Sequence, residues 1–123
     1  MTSKSVSEKM YLKNAKSMVV LNGTANPAVV DALPPALLEQ DSAAADVVLA
    51  FTRDKAELEQ FFPLAAARLA ERGALWLAYR KASTGQTNIN RDIINAYATE
   101  RGITAVAIIA LDEQWSALRL KRV

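Results

Sequence analysis

Side chains that could bind a ligand concentrate in two short segments of this sequence. The first, Asn22–Asn26, directly follows the apolar run Met18–Leu21. The second, Arg80–Asn90, directly follows the apolar run Ala74–Tyr79. Each run has the length and composition of a buried strand. Because ligands in open α/β sheets bind beyond the carboxyl ends of the strands, both segments are expected to lie at one edge of a sheet, together with Thr52–Asp54 and Asp112–Ser116.

The segment after Met18–Leu21 has the order of a strand, a tight turn and a helix start, since Asn26–Pro27 is a strong helix-initiation signal. In many folds such a turn binds a phosphate or nucleoside, and repeated glycines let the backbone approach the ligand. Here the turn has one glycine, Gly23, preceded by Asn22. Asn22 and Gly23 are therefore candidate ligand-binding residues, and simple turn chemistry is the alternative.

The second segment offers one cation, hydroxyls and a helix start. Its candidate ligand-binding residues are Lys81, Ser83, Thr84 and Asn90. The N–H groups of the helix that begins after Asn90 would suit an anion. Trp115 enters the last strand at the same edge and is a further candidate. The alternatives are a solvated loop, a helix cap at Asn90, and a Trp115 ring that packs over the end of the sheet.

Composition narrows the chemistry further. The chain has no cysteine and no histidine. Disulfides, thiolate nucleophiles, the commonest general base and the commonest metal ligands are thereby excluded. An enzyme of this sequence would depend on carboxylates, lysine, tyrosine, hydroxyls or amides. We expect no catalytic residue set and no metal site.

The charge is nearly balanced, with 15 basic and 13 acidic residues and a net charge of +2. This balance disfavours nucleic acid as a partner. The apolar runs are too short to cross a bilayer, and the N-terminus lacks a signal-peptide pattern, so a cytoplasmic protein without a membrane partner is predicted. The partner is an unknown small molecule or protein. Because an open sheet has exposed edges, a homodimer and a monomer both stay open.

Strand and helix signals alternate along the chain, which is typical of an α/β fold with a largely parallel sheet. We predict three layers, αβα, with about five to six strands that end in an antiparallel hairpin. One domain over residues 13–123 follows a flexible lead-in, residues 1–12. The predicted strands are Met18–Leu21, Asp46–Phe51, Ala74–Tyr79, Ile103–Leu111 and Trp115–Val123. Residues 36–45 are predicted to form a remnant strand or an irregular loop.

Several local features give sharper expectations. Pro34–Pro35 should end the first helix, and Asp54 should begin the next with Glu57 as its capping-box partner. Pro63 should kink that helix or divide it into two, and Gly73 should cap its end. In the third helix, Gly102 should end the element. The inward residues there are predicted to be Ile93, Ile94, Tyr97 and Ala98.

The element order, and the segments DVVLAF, FFPLAAARL and RGALWLAY, resemble the methyltransferase-like α/β fold, whose sheet closes with an antiparallel last strand. A closer resemblance is to a family of short, uncharacterised bacterial proteins with a truncated form of that fold. It depends on Leu21–Asn22, the LWLAYRK segment at 75–81, Asn90–Asp92 and Trp115–Arg119. This resemblance implies a fold but no established activity.

The chain departs from methyltransferases at the residues that would bind S-adenosylmethionine. Members of that fold carry an acidic residue and several glycines after the first strand, where this chain has NGTAN. They place another acidic residue after the second strand, a position that Glu39 or Asp41 could occupy. Three hypotheses follow: a non-catalytic domain that binds a small ligand or protein, a small methyltransferase using Asn22, Gly23 and Asp41, or an anion or nucleotide binder using Lys81 and Ser83.

Overall fold

The computed structural model describes residues 9–10, 12, 15–38, 44–81 and 88–122. Its strands are β1 (Met18–Leu21), β2 (Ala45–Thr52), β3 (Leu69–Arg80), β4 (Ile103–Ala110) and β5 (Trp115–Arg122). Its helices are α1 (Pro27–Asp31), α2 (Pro35–Leu38), α3 (Lys55–Arg68) and α4 (Arg91–Thr99), with a 3₁₀ turn at Gly23–Ala25 before α1. The predicted mixed α/β order is confirmed.

Within the described residues the strands form a five-stranded sheet in the order β1-β2-β3-β5-β4. The β1–β2 and β2–β3 pairs are parallel. β5 runs antiparallel to both of its neighbours, β3 and β4. The predicted terminal hairpin is therefore present, and its second strand lies between the first hairpin strand and the parallel part of the sheet.

Both faces of the sheet are covered, which confirms the three-layer prediction. On one face, Val48, Leu75 and Leu77 pack with residues of α3 and α4, including Phe62 and Ile94. On the other face, Leu49, Phe51 and Trp76 pack with Val29 of α1 and with Leu33. Met10 and Leu12 are buried in this second cluster, so the described part of the lead-in packs onto the domain.

The helix caps predicted from single residues are confirmed. Asn26, Asp54 and Asn90 each accept a hydrogen bond from the backbone N–H three residues later, at 3.3, 2.9 and 2.9 Å. Gly102 adopts φ 77° just after α4, and its N–H donates to the carbonyl of Thr99. This left-handed conformation is the usual reason for a glycine at the end of a helix.

Of the two alternatives predicted at Pro63, a kink or a division into two short helices, the division is wrong, since α3 is continuous from Lys55 to Arg68 with Pro63 inside it. A proline removes the hydrogen bond to the carbonyl of the residue four positions earlier, which here is Glu59. Both Pro63 and Glu59 are exposed, so water can satisfy that carbonyl. The apolar stripe on the opposite side of α3 stays buried through Leu58, Phe62 and Ala65.

The predicted helix cap at Gly73 is also wrong. α3 ends at Arg68, its C-cap Leu69 is extended, and Gly73 lies inside β3. A Cβ at Gly73 would lie 2.9 Å from the carbonyl oxygen of Asp46 and 3.0 Å from that of Ala45. The β2–β3 register shifts at this point, between Ala45 and Val47. Gly73 therefore permits close backbone approach at an irregularity in the sheet.

Two smaller differences concern Ile93 and the segment after Pro34. Ile93 was expected to point inward but is 39% exposed, whereas Ile94 and Ala98 are fully buried. α1 ends before Pro34 as predicted, but Pro35 begins α2 instead of leaving an irregular segment. The rest of the predicted remnant strand lies partly outside the described residues, at 39–43. Among the residues described, no helix is long and apolar enough to span a membrane.

Candidate functional site

The candidate site lies at the edge where β1, β2 and β3 end and β5 begins. The segments that meet there are Asn22–Asn26, Arg53–Glu57, Lys81, 88–92 and 112–115. The parallel pairing of β1 with β2 and of β2 with β3 aligns these carboxyl ends. The antiparallel pairing of Arg80 with Trp115 brings the start of β5 to the same edge. Ser83 and Thr84 lie outside the described residues.

Asn22 is held in place by protein contacts. Its backbone is left-handed, with φ 57°. Its amide Nδ2 donates to the carbonyl of Phe51 at 2.9 Å and to Glu57 Oε2 at 3.1 Å. The side chain thus joins the turn after β1 to the end of β2 and to the first turn of α3.

Glu57 is the centre of this contact. Its Oε1 accepts hydrogen bonds from the backbone N–H and from Nε of Arg53, at 2.7 and 3.0 Å. Its Oε2 accepts from Arg53 Nη2 at 2.8 Å as well as from Asn22. In a standard capping box Glu57 would accept from the N–H of Asp54, so the contact is displaced by one residue. The hydrogen bond from the Arg53 side chain is the main reason that the pKa of Glu57 lies below its ordinary value.

This depressed pKa predicts a pH dependence of stability. A carboxylate with a lower pKa in the folded state stabilises the fold above its unfolded pKa, about 4.3 for glutamate, and loses that contribution as the pH falls through the folded value. We expect Glu57→Gln to reduce the difference between the unfolding free energies at about pH 6 and about pH 3. Urea unfolding at several pH values measures this.

Glu59→Gln is the matched control, because it removes one carboxylate at an exposed position of the same helix. It should leave that pH difference close to the wild-type value. If the unfolding free energies of Glu57→Gln and wild type changed equally with pH, the assigned role of the Arg53–Glu57 contact would be contradicted.

Gly23 allows Val20 of β1 and Val30 of α1 to pack close to its backbone. A Cβ at this position would lie 3.1 Å from Cγ1 of Val20 and 3.2 Å from Cγ2 of Val30. The space left by the missing side chain is therefore bounded by two valines of the protein itself. In a ligand-binding glycine turn that space lets the backbone approach the ligand.

Asn26 connects the first turn to the turn between β4 and β5. Its Nδ2 donates to Asp112 Oδ2 at 2.9 Å, while its Oδ1 caps α1. Asn26 is only 6% exposed. Since β2 and β3 separate β1 from β5 in the sheet, this hydrogen bond extends across the carboxyl edge of both strands.

Both carboxylate oxygens of Asp112 accept hydrogen bonds from other residues. Its Oδ1 accepts from the backbone N–H groups of Gln114 and Trp115, both at 2.8 Å. Burial raises the pKa of Asp112, but the hydrogen bonds from Asn26, Gln114 and Trp115 and the nearby charge of Lys81 outweigh it, so the pKa is lower than usual. Asp112 therefore stays ionised at neutral pH as the acceptor that joins the two turns.

Trp115 lies beneath these turns and is 3% exposed. Its ring makes an edge-to-face contact with Phe51, with centroids 5.5 Å apart and planes at 83°. The guanidinium carbon of Arg80 lies 5.5 Å from the centroid of the Trp115 ring. The ring thus contributes to the second core cluster, between the sheet and the edge.

The remaining polar groups lie beside the end of β3 and the start of α4. The backbone N–H of Lys81 donates to the carbonyl of Gln114 at 2.8 Å, which fixes the direction of the chain as it leaves β3. Asn88 Oδ1 accepts from the N–H of Lys55 at 2.8 Å. Asn90, the N-cap of α4, is exposed. The charges of Arg91 and Asp92 act on Tyr79, so the start of α4 lies beside the end of β3.

Tyr79 was not among the candidates from the sequence. It is 5% exposed, and its hydroxyl is hydrogen bonded with Ser116 of β5. Burial is the main cause of a raised pKa at Tyr79, although the charge of Arg91 opposes it. The Arg53–Glu57 pair has the i, i+4 spacing of a helical ion pair and could have been found. The Tyr79–Ser116 contact depends on strand order and had no local signal.

The arrangement offers anchored amides, ionised carboxylates and cations, but no assembled catalytic set among the residues just described. The described residues also contain no group of three or more histidine, cysteine, aspartate or glutamate side chains that could hold a metal ion. The polar groups of the first turn bond to other parts of the protein. The groups around Lys81 and Asn90 lie nearer to solvent.

Solved structures similar to this one include methyltransferases. The ribosomal protein L11 methylase of Lactobacillus delbrueckii subsp. bulgaricus has a TM-score of 0.56 and 13% identity, over 94% of this chain and 73% of its own. The mitomycin 7-O-methyltransferase MmcR has a TM-score of 0.64 and 14% identity, over 91% of this chain and 50% of its own. LepI in complex with SAM has a TM-score of 0.60 and 14% identity, over 100% of this chain and 49% of its own.

These similarities show the fold alone, and the chain spans about half the length of MmcR and LepI. A search of curated proteins finds no match to the chain. The profile of a family described as "Protein of unknown function (DUF3052)" matches residues 22–123, which include every candidate site residue. The chain therefore belongs to the DUF3052 family, whose function is unknown, and this member has a methyltransferase-like fold.

Proposed function

We propose that this protein is a non-catalytic methyltransferase-like domain that binds a small ligand or a protein partner at the carboxyl edge of its sheet. One observation supports this most directly: the first turn is occupied by internal contacts. Asn22 is bonded to Phe51 and Glu57, and Asn26 is bonded to Asp112. In a methyltransferase-like enzyme this turn would be available to the cofactor.

S-adenosylmethionine is the cofactor that the fold suggests, since LepI is described in complex with SAM and, as a variant, with SAH. The residues of this chain do not fit it. The turn 22–26 contains no carboxylate. Its single glycine faces Val20 and Val30, and its first asparagine is already bonded to a carboxylate. Methyl transfer is therefore not part of the proposed function.

The half of the edge beside Lys81 is the better binding region. Lys81 ends the described part of one segment, and the exposed Asn90 and Arg91 begin α4 on the other side. The first-turn N–H groups of α4 add partial positive charge there. This second observation favours an anion as the small ligand, although the charge of Lys81 is partly balanced by Asp112.

Titration followed by calorimetry and thermal shift tests both the absence of SAM binding and the preference for an anion. We expect no heat and no thermal shift with about 1 mM SAM or SAH, a concentration at which a millimolar site would be half occupied. Binding of either compound would contradict the conclusion that the first turn does not fit the cofactor, and transfer of the methyl group of SAM to an acceptor would overturn the non-catalytic proposal. Inorganic phosphate is the third titrant, and a rise in melting temperature that Lys81→Ala removes would support the anion interpretation.

Asn22→Asp is an informative control. It supplies the carboxylate that methyltransferases have at this turn, but the new charge would lie near Glu57 Oε2, which is 3.1 Å from the present amide. Like charges at this distance repel, so the variant should be less stable than wild type. It should still bind no SAM, because the space at Gly23 is unchanged.

A further inference from the structure

Strand β4, at the outer edge of the described sheet, has no charged side chain of its own and is partly apolar. Among the described strands, β4 pairs only with β5. Its sequence ITAVAIIA contains no charged residue and no proline. Val106 and Ile108 are each 45% exposed. Edge strands in monomeric proteins are commonly protected by charges or proline, which β4 lacks.

The pairing pattern identifies which backbone groups of β4 face outward. The N–H of Leu111 donates to the carbonyl of Trp115 at 2.9 Å, which makes this a hydrogen-bonded pair. Hydrogen-bonded and non-hydrogen-bonded pairs alternate along an antiparallel ladder. Ile108, which lies opposite Leu118, is therefore in a non-hydrogen-bonded pair. Its N–H and C=O point away from β5.

On both sides of Ile108, outward-facing backbone groups of β4 are already hydrogen bonded to side chains. Asn95 Oδ1 accepts from the N–H of Ala105 at 3.1 Å, next to the register shift between Ala105 and Ala107. Lys9 Nζ donates to the carbonyl of Ala110 at 3.0 Å. A long added peptide strand would need a continuous ladder and would have to displace both contacts. A short contact centred on Ile108 uses the outward N–H and C=O of Ile108 itself. It requires only that the Lys9 side chain move aside where Val106 of one copy faces Ala110 of the other.

A contact centred on one residue is what a two-fold axis provides, because Ile108 of one copy can exchange both hydrogen bonds with Ile108 of another. The charges at the two ends of β4 suit this arrangement. Exposed Asp112 and Glu113 follow its carboxyl end, and exposed Lys121 lies opposite Thr104 near its amino end. An antiparallel pair brings the acidic end of each copy to the basic end of the other.

We propose that β4 is the interface of a symmetric homodimer, in which two copies pair antiparallel at Ile108 and cover Val106 and Ile108. The exposed apolar side chains are few, and the contact is smaller than the roughly 800 Å² per partner of a standard interface, so a Kd on the order of 10–100 μM is expected. This inference is independent of what binds at the carboxyl edge.

Sedimentation equilibrium of the full 123-residue chain from about 5 to 500 μM tests the dimer, a range that brackets the expected Kd. Ile108→Lys should raise the dissociation constant at least about 30-fold, because it places a charge at the axis of each copy. Leu64→Lys is the matched control, since Leu64 is 52% exposed on α3, and it should leave the constant unchanged. A wild-type monomer throughout this range, or a dimer unaffected by Ile108→Lys, would overturn the proposal.

Charge reversal tests the antiparallel arrangement separately. Glu113→Lys and Lys121→Glu should each weaken the dimer by about 3- to 10-fold, because each creates two like-charge contacts. The double variant should restore the wild-type constant within about 2-fold, since both contacts are then attractive again. Failure of the double variant to restore association would show that the copies do not pair in this direction.

The absence of native cysteine allows a direct test of proximity. Paired residues in an antiparallel ladder have Cα atoms about 5.5 Å apart, within the range that a disulfide can bridge. Ile108→Cys should form a covalent dimer on mild oxidation, whereas Leu64→Cys should stay mainly monomeric. Equal cross-linking of the two variants would count against a two-fold axis at Ile108.

Discussion

Replacing Trp115 by alanine is expected to lower the free energy of unfolding by about 3–5 kcal/mol, the range measured for loss of a large buried aromatic side chain. Trp115 is 3% exposed and packs edge-to-face against the fully buried Phe51. Its backbone N–H also donates to Asp112, whose other oxygen bonds to Asn26. Loss of the ring would thus leave a cavity directly beneath the turns that form the candidate site.

Urea unfolding followed by far-ultraviolet circular dichroism measures this change without depending on tryptophan fluorescence. Trp115→Phe is the control, because a phenyl ring retains part of the edge-to-face contact with Phe51 and should recover more than half of the loss. A double-mutant cycle with Phe51→Leu should give a coupling of about 0.5–1.5 kcal/mol. A loss below about 1 kcal/mol for Trp115→Ala would favour a surface role in ligand binding instead.

Features set by neighbouring residues could be predicted from the sequence. The caps at Asn26, Asp54 and Asn90 depend on a side chain reaching an N–H three residues away. β2 could be recognised because strands covered on both faces are continuously apolar. The hairpin of β4 and β5 followed from two strand-like runs separated by a short polar turn. In each case the physical cause lies within a few residues.

Features set by distant residues could not be predicted in this way. The continuity of α3 through Pro63 depends on a buried stripe packed against the sheet, which outweighs one lost hydrogen bond. The exposure of Ile93 depends on which face of α4 packs against the sheet: that face carries Ile94 and Ala98, and Ile93 lies about 100° around the helix from Ile94. The insertion of β5 between β3 and β4 has no counterpart in the order of elements along the chain.

The candidate site shows the same division. The sequence placed Asn22, Lys81, Asn90 and Trp115 near one edge, because strand ends in a parallel sheet share an edge. It did not show that Asn22 contacts Glu57 or that Asn26 contacts Asp112, since both partners come from other elements. Those two contacts change the first turn from a candidate cofactor site into a structural junction.

Gly73→Ala is expected to destabilise the protein by about 1–3 kcal/mol, the usual cost of an added carbon in a close-packed region. The new Cβ would lie 2.8 Å from Leu69 Cδ1, 2.9 Å from the Asp46 carbonyl oxygen and 3.0 Å from that of Ala45. The leucine side chain can move, but the two carbonyls belong to the start of β2. β2 and β3 would have to separate at the point where their register shifts.

Gly102 is the matched control, because it requires glycine for a different reason. It has φ +77°, and nothing lies within 4 Å of a Cβ built on it. Gly102→Ala should cost about 1 kcal/mol from backbone strain, and Gly102→Asn should cost less because asparagine tolerates the left-handed region. At Gly73 the order should reverse: asparagine is larger than alanine and should cost more. Chemical unfolding of the four variants measures both orders. If Gly73→Asn were better tolerated than Gly73→Ala, Gly73 would behave as the helix cap that its sequence context suggests, and the close contact of β2 with β3 would be wrong.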